Sequence, residues 1–312
     1  MRLGGYRTSD NVRDQGQGGG GLGFGGGGGG GGGCLFALLP MVLSRFGIGG
    51  VLILLLGYCA LSYMGGGGGL GIGGPGTAVA PQQQGAGATN DAKQACSTEP
   101  AKRFSCQVLA STEDTWTKVF AAKGQRYQPA GMDFYGRGGR SGCGEAQSAM
   151  GPFYCPTDNK IYLDTSFFDE LQTKFGAAGD FAQGYVIAHE VGHHIQNLTG
   201  VLSDASARQR RASSREGNAI QVRVELQADC YAGVYAANAK DEQGRPVMEP
   251  GDVEEGLRAA QAIGDDTLQR QSQGRVVPEA FTHGSAAQRQ QWLRRGLESG
   301  DPAACDTFSG AV

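Results

Sequence analysis

Hydrophobic positions divide the chain into three regimes. Residues 1–33 show little apolar pattern, and Gly18–Gly21 and Gly25–Gly33 are unbroken glycine. Ile48–Met64 then reads IGGVLILLLGYCALSYM without a charge, and extending it back to Phe46 gives the span 46–64. That length approaches the ~20 residues a helix needs to cross a hydrocarbon core. From residue 93 onward, helical and strand periods interleave. Ala110–Ala122 predicts a helix with Trp116, Val119 and Phe120 inward. Gln128–Tyr135 and Phe153–Leu163 carry aromatic and β-branched residues between turn formers and predict strands. Thr165–Phe175 predicts a short amphipathic helix. Asp180 with Gln183 predicts a capping box opening a helix that ends near Asn197, with Gly200 just past it. Ser213 with Glu216 opens another, running to about Asn238. Pro250–Ile263 and Ala286–Glu298 complete the set. Mixed strands and helices followed by helices alone give an α+β class.

The expected organisation is a Gly-rich tail at 1–45, a transmembrane helix at 46–64, a flexible linker at 65–92 and a folded domain at 93–312. Glycine supplies 56 residues, more than half of them before residue 90, and such a stretch buries too little apolar surface to offset its ordering entropy. Without a preceding strand or a closing Gly-Lys-Ser/Thr, the glycine tract is not a phosphate loop. Arg2, Arg7, Arg13 and Arg45 precede the span, and no Lys or Arg follows before Lys93. The positive-inside rule then predicts a single-pass inner-membrane protein, N-terminus cytoplasmic and domain periplasmic or extracytoplasmic. Net charge is −3, so no basic excess calls for nucleic acid; Arg208, Arg210, Arg211 and Arg215 read as a solvated loop and helix start.

Cysteine usage fits that compartment. The domain holds Cys96, Cys106, Cys143, Cys155, Cys230 and Cys305, an even count that suggests disulfides. Cys143 and Cys155 bracket an expected β-hairpin and are paired first. Cys96–Cys106 follows by proximity, which leaves Cys230–Cys305. No Cys-x-x-Cys supports a cysteine-ligated zinc.

Chemistry concentrates at His189-Glu190-Val191-Gly192-His193. On a helix, positions i and i+4 share a face, so His189 and His193 can offer two imidazole nitrogens to one metal ion. Glu190 lies elsewhere on the cylinder, placed to act as general base on a water that zinc activates. Val186, Ile187, Ala188, Val191 and Ile195 surround the motif, which is hard to explain as a solvated face. The bland alternative is a buried helix with satisfied histidines. A third histidine six residues on is excluded, because Thr199 stands there and Gln196 before it. Glu225 and Asp229 fall at i and i+4 on a helix whose other side carries Val222, Leu226, Tyr231 and Val234. Two carboxylates on a buried helix are costly unless a cation is near. Glu225 is therefore the expected third ligand of one Zn2+. Asp229 is the expected acceptor from the remote nitrogen of a ligand histidine; the alternative is that Arg223 or another arginine pairs one of these acids.

With these residues in place, HEVGHHIQNLTG and the downstream ELQADCYAGV resemble the bacterial neutral zinc metallopeptidase family. CGEAQSAMGPFYCPTDNKIYLD, THGSAAQRQQW and CDTF extend the resemblance, as does a Gly-rich tail with one span, over almost the whole chain. The resemblance implies a zincin-like fold with glutamate as third ligand. His283 and Arg289 resemble a His-plus-Arg pair lining the cleft of related Glu-ligated zinc peptidases, where it would stabilise an oxyanion; a capping-loop histidine is the alternative. His194, about 100° round the helix from His193, is either an outer partner of the metal site or structural. Met150–Tyr154, with Pro152, could be an edge strand that pairs with an extended peptide.

The function expected is a membrane-anchored zinc endopeptidase acting on a peptide or protein substrate. The rivals are an inactive zinc-stabilised scaffold or chaperone for exported proteins, against which the intact Glu190 argues, and an amidase of cell-wall crosslinks.

Overall fold

The computed structural model describes residues 1–17 and 87–312. In chain order the elements are β1 (Val12–Gln17), α1 (Ala92–Ala95), α2 (Pro100–Ala122), β2 (Gly131–Gly136), β3 (Gly138–Ser141) and β4 (Gly144–Gln147). Then come β5 (Phe153–Cys155), β6 (Lys160–Leu163), α3 (Ser166–Thr173), α4 (Asp180–Leu198) and α5 (Val201–Gln209). α6 (Ser214–Asn238), α7 (Asp252–Ala262), α8 (Asp265–Gln273) and α9 (Ala286–Ser299) complete the chain. The α+β class holds. One mixed sheet runs β4-β3-β2-β6-β5, with β1 parallel to β2 and β5 at an end. Helices α4, α6, α7 and α9 pack together beside it.

The N-terminal segment corrects the expected boundaries. Residues 1–17 are not part of a tail: they belong to the same compact unit as the residues after 87. β1 pairs Val12 with Met132 and Asp14 with Phe134. Arg2 and Arg7, expected as a flank of positive charge, bind Glu249 and the Glu113–Asp114 pair. The expected span 46–64 lies outside the described residues, and among the described ones no helix is long and apolar enough to cross a membrane.

Helix α6 starts as its sequence predicts, with Ser213 and Glu216 closing a capping box. Helix α4 does not. Its N-cap is Gly179, and the amide of Phe181 donates to Glu255 on α7 at 3.0 Å. The Asp180 carboxylate turns instead to the amino group of Met1, 2.5 Å away. A long-range partner thus replaces the local cap, while the anionic charge still sits at the positive end of the helix. α6 and α9 cross closely: a Cβ on Gly296 would lie 2.0 Å from the Cys230 carbonyl oxygen, so only glycine fits.

Among the described residues, three disulfides join Cys96–Cys106, Cys143–Cys155 and Cys230–Cys305, with Cα separations of 6.0, 5.8 and 5.6 Å. The middle one does not bracket a single hairpin. It ties the β3–β4 turn to the end of β5. The third ties α6 to the 3-10 turn Pro302–Cys305 that follows α9.

Candidate metal centre

Helix α4 is buried over most of its length because Phe181, Tyr185, Ile187, Ala188 and Val191 face the core. His189 and His193 therefore lie on one face of a helix that packs directly on α6. Gly192 permits the approach: a Cβ there would stand 2.9 Å from the Ala228 carbonyl oxygen. That proximity brings Glu225 to the histidines. His189 Nε2 lies 3.1 Å and His193 Nε2 3.6 Å from Glu225 Oε2. One ligand atom from each residue falls within 4.8 Å of the others, the spacing that suits a shared metal ion.

Each candidate ligand nitrogen is aimed from behind. Asp229 Oδ1 accepts from His189 Nδ1 at 2.8 Å, and Gln196 Oε1 accepts from His193 Nδ1 at 2.9 Å. Both remote nitrogens then carry the proton, and both Nε2 lone pairs face Glu225. Gln221, one turn before Glu225, donates to Glu225 Oε1 at 2.9 Å and leaves Oε2 to the histidines.

Asp229 is fully buried and heavily bonded. Tyr185 Oη donates to it at 2.5 Å, and Arg289 donates through Nε and Nη2, each at 2.9 Å. Burial opposes its charge, but Arg289 and His189 win and hold it at about 2. The alternative of an arginine partner is thus half realised: Arg289 pairs Asp229 while Asp229 still holds His189. Arg223 does neither and binds the Thr307 and Gly310 carbonyls. Arg289 lines the cleft, yet all its nitrogens are engaged with Asp229, Tyr185 and the Ile263 carbonyl. Its geometry is that of a strut for Asp229 from within the cleft wall.

The two glutamates diverge. Burial raises Glu225, but His193 and His189 overturn this and hold it well below the usual carboxylate range. Glu190 is raised, first by burial, and its Oε2 has no hydrogen-bond partner among the described residues. For His189, burial disfavours the charge, while Asp229 and Glu225 raise it to about 10. Two neutral nitrogens, one carboxylate oxygen and an unsatisfied acid beside them fit a zinc ion and its water.

The site opens into a cleft of about 550 Å3. Phe167, Phe175, Val186, Leu202 and Leu268 line it, and one wall is Met150–Tyr154. This stretch leads into β5 at the end of the sheet. His283 lies on the cleft wall, its side chain 52% exposed. Its Nδ1 is 3.2 Å from Asp265 Oδ1, and Asp265 Oδ2 accepts the backbone amides of Thr282, His283 and Gly284. The Asp265 bond raises the His283 pKa. His194 sits between Tyr154 Oη at 3.0 Å and the Gln128 carbonyl at 2.7 Å, so it ties α4 to the sheet. A second acidic group, Asp180, Asp252 and Glu255, has Met1's amino group against Asp180 and Asp252.

Sequence reasoning overlooked Tyr185, Gln196, Gln221 and Asp265. The first three had a signal: each stands three or four residues from a ligand on the same helix face. Asp265 is brought to His283 by tertiary contact and had none.

Fold and site together set a His-Glu-x-x-His helix beside a glutamate from a neighbouring helix, with ligand atoms spaced to suit one metal ion. Comparison with known proteins narrows this. A family model described as "Putative neutral zinc metallopeptidase" matches residues 1–308, and the chain belongs to that family. It is 53% identical over 214 residues to the uncharacterized protein YpfJ of Escherichia coli K12, covering 69% of this chain and 74% of that one. It is 47% identical over 223 residues to the uncharacterized protein Rv2575 of Mycobacterium tuberculosis H37Rv, covering 68% and 73%. No solved structure matches.

Proposed function

We propose that this chain is a zinc-dependent endopeptidase in which His189, His193 and Glu225 hold one zinc ion and Glu190 is the general base. The observation that carries the reading is the unpartnered Glu190 Oε2 beside three converging ligand atoms. Zinc, when bound, would polarise the scissile carbonyl and acidify the attacking water. Glu190 takes the proton from that water and passes it to the leaving amine. Burial raises its pKa, the direction that favours taking up the proton. His283, held by Asp265, donates toward the negative charge that develops on the carbonyl oxygen. The edge of β5, unpaired among the described residues, receives the substrate as an extended strand.

A scaffold has no use for a buried base without a partner, which favours the enzyme. Testing is direct: a quenched peptide series is assayed with and without chelator, with Glu190→Gln as control. Cleavage that survives both would overturn the reading.

Attachment to a membrane through 46–64 stays part of the proposal, without the single pass that would put residues 1–17 and 87–312 on opposite sides. The β1–β2 pairing supports placing residues 1–17 and 87–312 on one side of the membrane, since strands in different compartments cannot exchange backbone hydrogen bonds. The three disulfides support an oxidising, extracytoplasmic compartment for both. Accessibility of single cysteines at positions 10 and 240 to an impermeant maleimide tests this in intact cells. Both should label alike, and labelling of only one would refute it.

A further inference from the structure

We infer that Gln196 is a positioning residue for the metal site, the first link of a buried amide relay running from His193 to the C-terminal turn. This rests on the zinc reading above. Gln196 is fully buried and Gln227 nearly so. Gln196 Nε2 donates to the Val224 carbonyl at 2.7 Å and to Gln227 Oε1 at 3.0 Å. Gln227 Nε2 donates in turn to the Cys305 carbonyl at 2.9 Å. Cys305 is bonded covalently to Cys230 on α6.

The relay has one consistent direction. Val224 and Cys305 present carbonyls, which only accept, so each amide must turn its nitrogen toward them. Gln196 Oε1 is thereby left facing His193 Nδ1 at 2.9 Å. The ring must carry its proton on Nδ1, and Nε2 is left unprotonated for a metal. The Val224 carbonyl belongs to the peptide unit leading into Glu225. One side chain therefore fixes the ring of the second ligand against the backbone of the third, across two helices. A buried primary amide is costly unless every donor is used, and here both hydrogens and the oxygen are used. The Cys230–Cys305 bond holds the far end, so the covalent link at the back of α6 steadies the site at its front.

The test reads zinc, not hydrolysis. Zinc affinity of the full chain is measured by competition with a chromogenic chelator. Gln196→Met keeps the volume and loses the acceptor, and should bind zinc about 10–100-fold more weakly. Gln196→Glu restores an acceptor for His193 Nδ1 and should recover much of that loss. A packing role predicts the opposite order, because a buried carboxylate disturbs packing more than methionine does. Zinc binding unchanged in the Met variant, or a Glu variant as weak as the Met one, would overturn the inference. Should the variants fail to fold, the histidine ring nitrogens of the zinc-loaded wild type decide. Long-range proton–nitrogen spectra should show His193 protonated at Nδ1, and protonation at Nε2 overturns it. A chain that passes these tests but cleaves no peptide would refute the peptidase reading alone.

Discussion

The floor of the cleft and its rim are built differently. On the floor, each proposed ligand is gripped from behind: His189 by Asp229, His193 by Gln196 and Glu225 by Gln221. These partners lie on α4 and α6, and Asp229 is braced again by Arg289 from α9. At the rim, His283 stands half-exposed on a loop with Asp265 as its side-chain anchor. Burial makes the floor rigid, because an unpaired polar group there would cost far more than one in contact with water. The floor is thus organised before substrate arrives, whereas the rim can adjust to it. The same contrast separates the two glutamates: Glu225 is held ionised by two histidines, and Glu190, with an oxygen unpaired, is free to exchange a proton.

Substitutions can break this contrast, and the largest effects belong to the floor. Glu190→Gln should lower kcat/KM by at least about 10²–10⁴-fold, the usual contribution of a general base, while zinc content stays at one ion per chain. His193→Ala should lose zinc and activity together. Loss of zinc from the Gln variant would show that Glu190 is a ligand and not a base. Rim changes should be milder. His283→Ala should lower kcat by about 10²-fold, as removal of one oxyanion donor does, with KM and zinc little altered. A KM effect with unchanged kcat would make His283 a substrate contact only.

The smallest effect concerns pH in the zinc-free protein. His189 is raised to about 10 from an ordinary value of 6.5. Its stabilising contribution is fully present below about 6.5 and is lost as pH rises toward 10. Thermal unfolding of the zinc-free chain should therefore weaken across that window. Zinc, by taking the place of the proton, should flatten the profile. A stability curve identical with and without zinc would separate His189 from the metal.

Much of the floor was legible because it obeys helical spacing. His189 and His193 share a face of an apolar helix, and Glu225 and Asp229 are acids where neighbours demand hydrophobes. Ser213 and Glu216 announce the start of α6 locally. What stayed hidden depends on distant partners. β1 alternates properly, but its inward positions are Val12, Asp14 and Gly16. Asp14 is tolerated inside only because Lys102 pairs with it at 2.8 Å, and its charge masked the period. α8 has Leu268 as its one large apolar residue among nine, too little apolar pattern to announce a helix. Asp180 looked like a cap, and a carboxylate from α7 took that place.

The central claim is that one zinc ion bridges α4 and α6 through Glu225. The most direct test is zinc titration of metal-free wild type and Glu225→Gln. The wild type should take up one ion. The variant should bind more weakly by a factor beyond the roughly 10–100-fold that loss of an outer partner costs. Equal affinity in the two proteins would contradict the account.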